Sequence, residues 1–334
     1  MRRPRAQHLA LILAGVLLAL TSAELMLLWM DYRYTPLRIE TIKRYSEWRY
    51  FHSYEDRHFI YDTNLLWRPR PGTPLFNRQG YRGRELTSRK SPAEIRIFAI
   101  GDSNTLGWYG ERDANWPMYL EQLLRPQYPA LSVQNAGVSG YSSFQGLRRF
   151  EEALPFQPDL VLFSFGANDP MQVTMSDVEY ARAGPPWLAL ERALLRLRLG
   201  HLFRAVVDRR WSASGARLVP RVSLDEYRAN LIEAVRRARQ HGVAIVLLTR
   251  PFSGESPHPW WWKNFAPRYN EVVREVARQF NVVLIDIFED LRGREHLFSD
   301  ESHLTEQGYR RMAAVIRQRI APLLSTKAGR EAGA

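Results

Sequence analysis

Three residue types suited to one reaction occur in this chain: a serine at 103 and, far downstream, an aspartate at 300 and a histidine at 303. Ser103 lies in Gly101-Asp102-Ser103-Asn104, directly after the apolar run Ile95–Ile100. Such a run reads as a strand buried on both faces of a parallel sheet. The glycine permits a sharp turn, and the small polar residues can cap a following helix. A hydroxyl placed there is exposed at the carboxyl end of a central strand, beside helix N–H groups that favour developing negative charge. Serine is a weak nucleophile until a base takes its proton, and histidine titrates in the right range to do so. Asp300, three residues before His303, can fix the imidazole tautomer and stabilise the imidazolium. Taken singly, each residue has a plainer role: Ser103 and His303 as helix caps, Asp300 as a solvated carboxylate.

Acyl transfer also needs donors for an oxyanion. The backbone N–H of Ser103, that of Gly140 and the side-chain amide of Asn168 can supply three, and Gly140 has no Cβ to obstruct a substrate. Asp102 and Asp169 adjoin these motifs and are read as bracing their loops. His201, His241, His258 and His296 have no comparable aspartate partner in sequence.

The elements that must position these groups alternate from Ile95 onward. Strands are expected at Ile95–Ile100, Leu131–Gln134, Asp159–Phe165, Val243–Thr249 and Val282–Ile287. Helices are expected at Pro117–Leu124, Ser143–Leu154, Leu224–His241, Pro267–Phe280 and Thr305–Leu323. Five strands interleaved with helices imply a doubly wound parallel sheet with right-handed crossovers, whose loops gather at one rim. Ser103, Gly140 and Asn168 each follow a strand, and Asp300 and His303 follow the last. Two segments interrupt the pattern. Within Met171–Ser223, Trp187–Trp211 reads as a leucine- and arginine-rich helix packed on the core, with a lid or membrane-facing role as the alternative. Pro251–Asn264 reads as a loop carrying Trp260-Trp261-Trp262.

Upstream, Arg2, Arg3 and Arg5 precede Leu9–Met30, which is apolar except around Thr21–Glu24. That length crosses a bilayer as a helix, with the arginines on the cytoplasmic side and Trp29 near the far interface. The competing reading is a signal peptide cut after Ala23; both readings export the remainder of the chain. Residues 31–94 are rich in Tyr, Trp, Arg and Pro and are expected to pack on the domain, with Gly80–Glu85 as a surface turn. The net charge of +12 is carried almost wholly by dispersed arginine, with lysine only at 43, 90, 263 and 327. No focused basic stripe or known module marks a nucleic-acid partner, whereas anionic glycans or lipid headgroups suit the charge. The chain has no cysteine, which removes disulfides, thiolate metal sites and cysteine nucleophiles.

Four segments in order, GDSNTLG, the glycine ending NAGVSG, GAND and DESH, resemble the blocks of the SGNH (GDSL-type) hydrolase family, over about Ile95–Leu323. Asn104 stands where many members carry leucine. The resemblance implies a flavodoxin-like three-layer α/β/α sandwich with a five-stranded parallel sheet. It also implies action on acyl esters without metal or organic cofactor, Ser103 as nucleophile, Gly140 and Asn168 in the oxyanion hole, and Asp300 and His303 completing a triad. The expected organisation is a cytoplasmic stub and transmembrane anchor at 1–30, the aromatic segment at 31–94, the hydrolase domain at 95–325 with its insertion at 171–223, and a disordered tail at 326–334. The expected activity is hydrolysis of an acyl ester, for example an O-acetyl group on a glycan, outside the cytoplasm. The alternatives are O-acyl transfer to a glycan through the same triad, a lipase or lysophospholipase, and a non-catalytic membrane-anchored scaffold. No G-x-G-x-x-G follows the first strand, so a dinucleotide site is not indicated.

Overall fold

The computed structural model describes residues 4–32, 58–62, 64–87, 89–107, 114–173, 176–182, 190, 193–194, 196–213, 219–254 and 260–331. The chain begins with α1 (Pro4–Trp29), whose stretch Gln7–Trp29 is long and apolar enough to cross a membrane and is almost wholly exposed. A hairpin of β1 (Phe59–Asp62) and β2 (Leu66–Pro69) comes next. Then come β3 (Ile95–Gly101), α2 (Ser103–Leu106), α3 (Trp116–Leu124), β4 (Leu131–Asn135), α4 (Ser143–Ala153) and β5 (Leu160–Ser164). The insertion contributes β6 (Gln172–Val173), α5 (Asp177–Arg182), α6 (Arg198–Ala213) and β7 (Val219–Pro220). The remainder is α7 (Leu224–Gln240), β8 (Ala244–Leu248), α8 (Trp260–Gln279), β9 (Val283–Ile285), α9 (Ile287–Leu291) and α10 (Glu306–Glu331).

The main sheet is parallel throughout, in the order β4-β3-β5-β8-β9. This is the flavodoxin-like arrangement, in which connections diverge on either side of β3 and β5 and leave a crevice at their carboxyl ends. Alternation along the strands supplies both faces. Phe98, Ile100, Val161, Phe163, Ile245 and Leu247 enter one apolar cluster with α4, α7 and α8. Ile97, Ala99, Leu160, Leu162, Val246 and Leu248 enter the other with α3 and α10. Burial on both faces explains why these strands read as continuous apolar runs. The fold is the expected three-layer sandwich, with a five-stranded sheet.

Several boundaries differ from the sequence reading. α8 starts at Trp260 rather than Pro267, so Trp260–Asn264 lie in its first turns instead of a loop; the side chains of all three tryptophans lie outside the described residues. Pro267 was a natural place to start a helix, since proline suits the first turn. The chain instead carries it in the interior, at the loss of one backbone donor. α10 continues to Glu331, through the stretch from 326 onward read as a disordered tail. Lys327, Ala328, Arg330 and Glu331 are good helix formers, and a lone Gly329 costs only about 1 kcal/mol. The leucine-rich stretch is not one helix: Leu190, Ala193 and Leu194 are helical, a turn follows at Arg196 and Leu197, and a helix then runs from Arg198. It is not packed on the core, since Leu202, Phe203, Val206 and Val207 are exposed, as are Leu190, Leu194 and Leu197. Residues 187–189 lie outside the described residues.

Upstream of the sheet, Phe59, Leu65, Phe76 and Tyr81 are buried in the α4–α7–α8 cluster. Gly80–Glu85 is therefore not a plain surface turn. Arg82 exchanges backbone hydrogen bonds with Asn135 at 2.9 and 3.0 Å, antiparallel to the end of β4, and its guanidinium donates to the Leu106 carbonyl at 2.7 Å.

Candidate active site

The site is built at the carboxyl ends of β3, β4 and β5 and on the turn before α10. β3 ends at Gly101, whose register partner is Ser164. A Cβ there would stand 2.1 Å from Thr105 Oγ1 and 2.9 Å from the Ser164 carbonyl oxygen, so only glycine lets the chain turn this tightly into α2. Asp102 caps α2 by accepting from the Asn104 N–H at 2.9 Å, and Ser103 occupies the first helical position.

Ser103 Oγ lies 2.7 Å from His303 Nε2. On the other side of the ring, His303 Nδ1 lies 2.8 Å from Asp300 Oδ2 and 3.0 Å from Oδ1. Asp300 Oδ1 also accepts the backbone N–H groups of Ser302 at 2.8 Å and His303 at 2.7 Å. One carboxylate thus shapes the turn and faces the imidazole it carries. With Nδ1 donating to Asp300, Nε2 is the ring nitrogen that faces the serine hydroxyl. His303 is nearly buried, and the Leu304 N–H donates to Asn104 Oδ1 at 3.3 Å, joining the histidine turn to α2.

The loops bearing Gly140 and Asn168 meet the same corner. The Val138 N–H donates to the Gly101 carbonyl at 3.1 Å, pinning the post-β4 loop to the end of β3. Gly140 has φ +75°, and a Cβ there would lie 3.2 Å from Cζ2 of Trp67, so the left-handed backbone and the indole both call for glycine. Asn168 Nδ2 donates to the Tyr141 carbonyl at 2.9 Å, which fixes the amide and leaves its second N–H for another acceptor. All five residues singled out in the sequence therefore lie on loops tied together at one rim, and Ser103, His303 and Asp300 are in direct hydrogen-bond reach.

Two buried arginines were not legible in advance. Arg250, just after β8, donates from Nε to Asp102 at 2.9 Å and from Nη1 to the carbonyls of Ser302 at 2.7 Å and Pro251 at 3.1 Å. It therefore latches the Ser103 turn to the His303 turn. Arg221, just after β7, donates to the Gly140 carbonyl at 2.6 Å, to Asp177 at 2.9 and 3.2 Å, and to Gln145 at 3.0 Å. It holds the carbonyl of Gly140, in the peptide that follows the Gly140 N–H. Their positions at strand ends, on the rim, were the one signal available. Trp67 adds a third support: its Nε1 donates to the Ser139 carbonyl at 3.1 Å, and its own carbonyl accepts from the Tyr141 hydroxyl at 2.5 Å.

Asp169 is completely buried and accepts the N–H groups of Ser143 at 2.8 Å and Gly166 at 3.1 Å. Burial raises its carboxyl to about 7, against the opposing pull of those hydrogen bonds and of Arg221. Burial likewise pushes the Tyr141 phenol well above its usual range.

The fold and the site thus define an α/β protein with a parallel sheet of this order and a serine, a histidine and an aspartate in mutual reach at its crevice. The sequence matches the model of the GDSL-like lipase/acylhydrolase family over residues 99–311, and the chain belongs to that family of carboxylic ester hydrolases. It is 34% identical to an arylesterase of Vibrio mimicus over 83 residues, which are 25% of this chain and 42% of that protein. It thus spans less than half of that relative. An uncharacterized lipoprotein, YqeF, of Bacillus subtilis (strain 168) is 22% identical over 210 residues, 57% of this chain and 69% of that protein. Among solved structures, a lipase/acylhydrolase from Enterococcus faecalis is similar with 20% identity and a TM-score of 0.49, covering 68% of this chain and 95% of that one. The acetylxylan esterase Axe2 of Geobacillus stearothermophilus is similar with 22% identity and a TM-score of 0.46, covering 69% and 96%.

Proposed function

We propose that this protein is a membrane-anchored serine esterase that removes a short acyl group from a hydroxyl of an extracytoplasmic glycan. The observation that carries the reading is the relay of Ser103 Oγ to His303 Nε2 at 2.7 Å and His303 Nδ1 to Asp300 at 2.8 Å. His303 takes the proton of Ser103 as its oxygen attacks the ester carbonyl. The N–H groups of Ser103 and Gly140 and the free amide N–H of Asn168 receive the oxyanion. The imidazolium then protonates the departing alcohol, leaving an acyl-serine that water, activated by the same imidazole, hydrolyses. No step in this scheme calls on a metal ion or an organic cofactor.

A short acyl group is supported by the crowding at Gly140, where the Trp67 indole, packed edge-on against Tyr141 at 5.5 Å, would lie 3.2 Å from a Cβ. A glycan partner is supported by the arginine-rich charge balance and by export. Export in turn is supported by the apolar α1 and by the alignment to a protein named a lipoprotein. In this reading α1 stays as the anchor, the segment at 31–94, of which 33–57, 63 and 88 lie outside the described residues, braces the domain, and the hydrolase domain begins at β3.

The test is a panel of p-nitrophenyl esters of increasing chain length, run beside acetylated polysaccharides, with wild type and Ser103→Ala. Acetate release and p-nitrophenyl acetate turnover are expected, both lost in Ser103→Ala. Turnover that survives this substitution overturns the reading. Preference for long chains would move the substrate to lipids, and acetyl appearing on an added acceptor glycan would make the enzyme a transferase.

A further inference from the structure

The insertion carries a surface that the catalytic reading does not use. α6 presents Leu199, Leu202, Phe203, Val206 and Val207 along one helical stripe, at spacings of three and four residues. Leu202, Phe203, Val206 and Val207 are exposed, with Phe203 63% accessible. Soluble surfaces rarely leave such a stripe open, and one of this size marks a contact. The same helix contains Arg198, Arg204, Arg209 and Arg210 against a single acidic residue, Asp208.

What covers the stripe is indicated by where α6 begins. Its first two backbone N–H groups, of Arg198 and Leu199, donate to the two carboxylate oxygens of Glu24 at 2.7 and 2.8 Å. Arg198 also pairs with Asp31 at 3.2 Å. Glu24 belongs to α1 and is the one acidic residue of that apolar helix. A carboxylate there needs partners, and the unsatisfied amides of a helix start supply them. Glu24 precedes Trp29 by five residues, about 7.5 Å along the helix axis. With Trp29 in the aromatic belt of the outer interface, α6 starts at a depth that matches the roughly 5–10 Å to which interfacial helices sink.

We propose that α6 is an interfacial membrane helix. Its apolar stripe would lie in the outer leaflet of the bilayer that α1 crosses, its arginines on anionic headgroups, and Glu24 would fix its depth. The inference rests on the reading of α1 as an anchor, and it commits to lipid rather than a protein partner.

The absence of native cysteine makes the test direct. Full-length protein with a single cysteine in place of Leu17 in α1, or of Phe203 in α6, is labelled with an environment-sensitive fluorophore. Each is reconstituted into phosphatidylethanolamine–phosphatidylglycerol vesicles containing lipids spin-labelled either near the headgroup or near the chain end. Retained p-nitrophenyl acetate hydrolysis shows that each labelled protein is folded. The proposal expects the label at 203 to be quenched about twofold more by the shallow spin label than by the deep one, with the reverse order at 17. Quenching at 17 without quenching at 203 overturns the interfacial helix and leaves the anchor standing. Absence of quenching at both overturns the two readings together.

Discussion

The two halves of the proposed catalytic rim are each held by a buried arginine, but they are held differently. On the relay side, Arg250 joins two loops that both carry reacting groups, through Asp102 and the Ser302 carbonyl. On the proposed oxyanion side, Arg221 grips the Gly140 carbonyl, in the peptide next to the one that carries the Gly140 N–H, and roots this loop in the insertion through Asp177. Both ion pairs are almost completely excluded from water, where breaking one by removing a partner is costly. The relay side is therefore closed on itself, whereas the oxyanion side takes its geometry from a segment that continues toward α6 and α1. The same chemistry is braced internally on one flank and from the periphery on the other.

The largest expected effect comes from striking the relay itself. Ser103→Ala lowers kcat by roughly 10⁶-fold, as loss of a triad nucleophile does elsewhere, with the melting temperature unchanged. On the opposite flank, Asn168→Ala is expected to lower kcat by about 10²–10³ while KM stays near its original value, because the proposed mechanism has the amide act on the oxyanion alone. The arginines discriminate between the flanks. Arg221→Met and Arg250→Met each lose about 3–5 kcal/mol in urea unfolding, since each strands a buried carboxylate. In a double-mutant cycle on kcat, Arg221→Met is expected to couple with Asn168→Ala by more than about 0.5 kcal/mol, because Arg221 holds the loop that carries Gly140, the donor proposed to share one oxygen with Asn168. Arg250→Met combined with Asn168→Ala is expected to be additive. Equal coupling for the two arginines would erase the distinction.

The smallest effect concerns Asp169, the carboxylate that has no arginine clamp of this kind. Its folded-state pKa of about 7 lies above the unfolded value of 3.8, so the folded protein binds more protons between those limits. Stability contributed by the protonated form is full below about pH 4 and declines as pH rises toward 7. Asp169→Asn keeps the acceptor for Ser143 and is expected to flatten that decline. Urea midpoints measured across the interval check it, and a parallel decline in both proteins would show that the slope has another source.

How much of this was legible in the sequence differs by element for physical reasons. The strands announced themselves because burial on both faces leaves few polar positions, as in Ile95–Gly101, where Arg96 is the one charged residue. Ser103, Gly140, Asn168, Asp300 and His303 were legible because each sits at a strand end or helix entry where its neighbours are small and polar. The start of α8 was hidden because Pro267 imitates a helix beginning. The side of α6 that faces outward was not readable at all, since a leucine stripe suits a protein core and a lipid surface equally. Arg221 and Arg250 were invisible among the many arginines, because an ion pair's partner is chosen by tertiary folding rather than by local pattern. Their carboxylates stand 44 and 148 residues away.

The turn before α10 has a consequence for anyone wishing to transplant this chemistry. The proposed base and its orienting acid travel as one four-residue cassette, because the Asp300 carboxylate that faces the imidazole also ties down the amides of Ser302 and His303. Moved as a unit onto another strand-ending rim, the cassette would bring its own internal alignment. Only its distance to a hydroxyl would remain to be engineered.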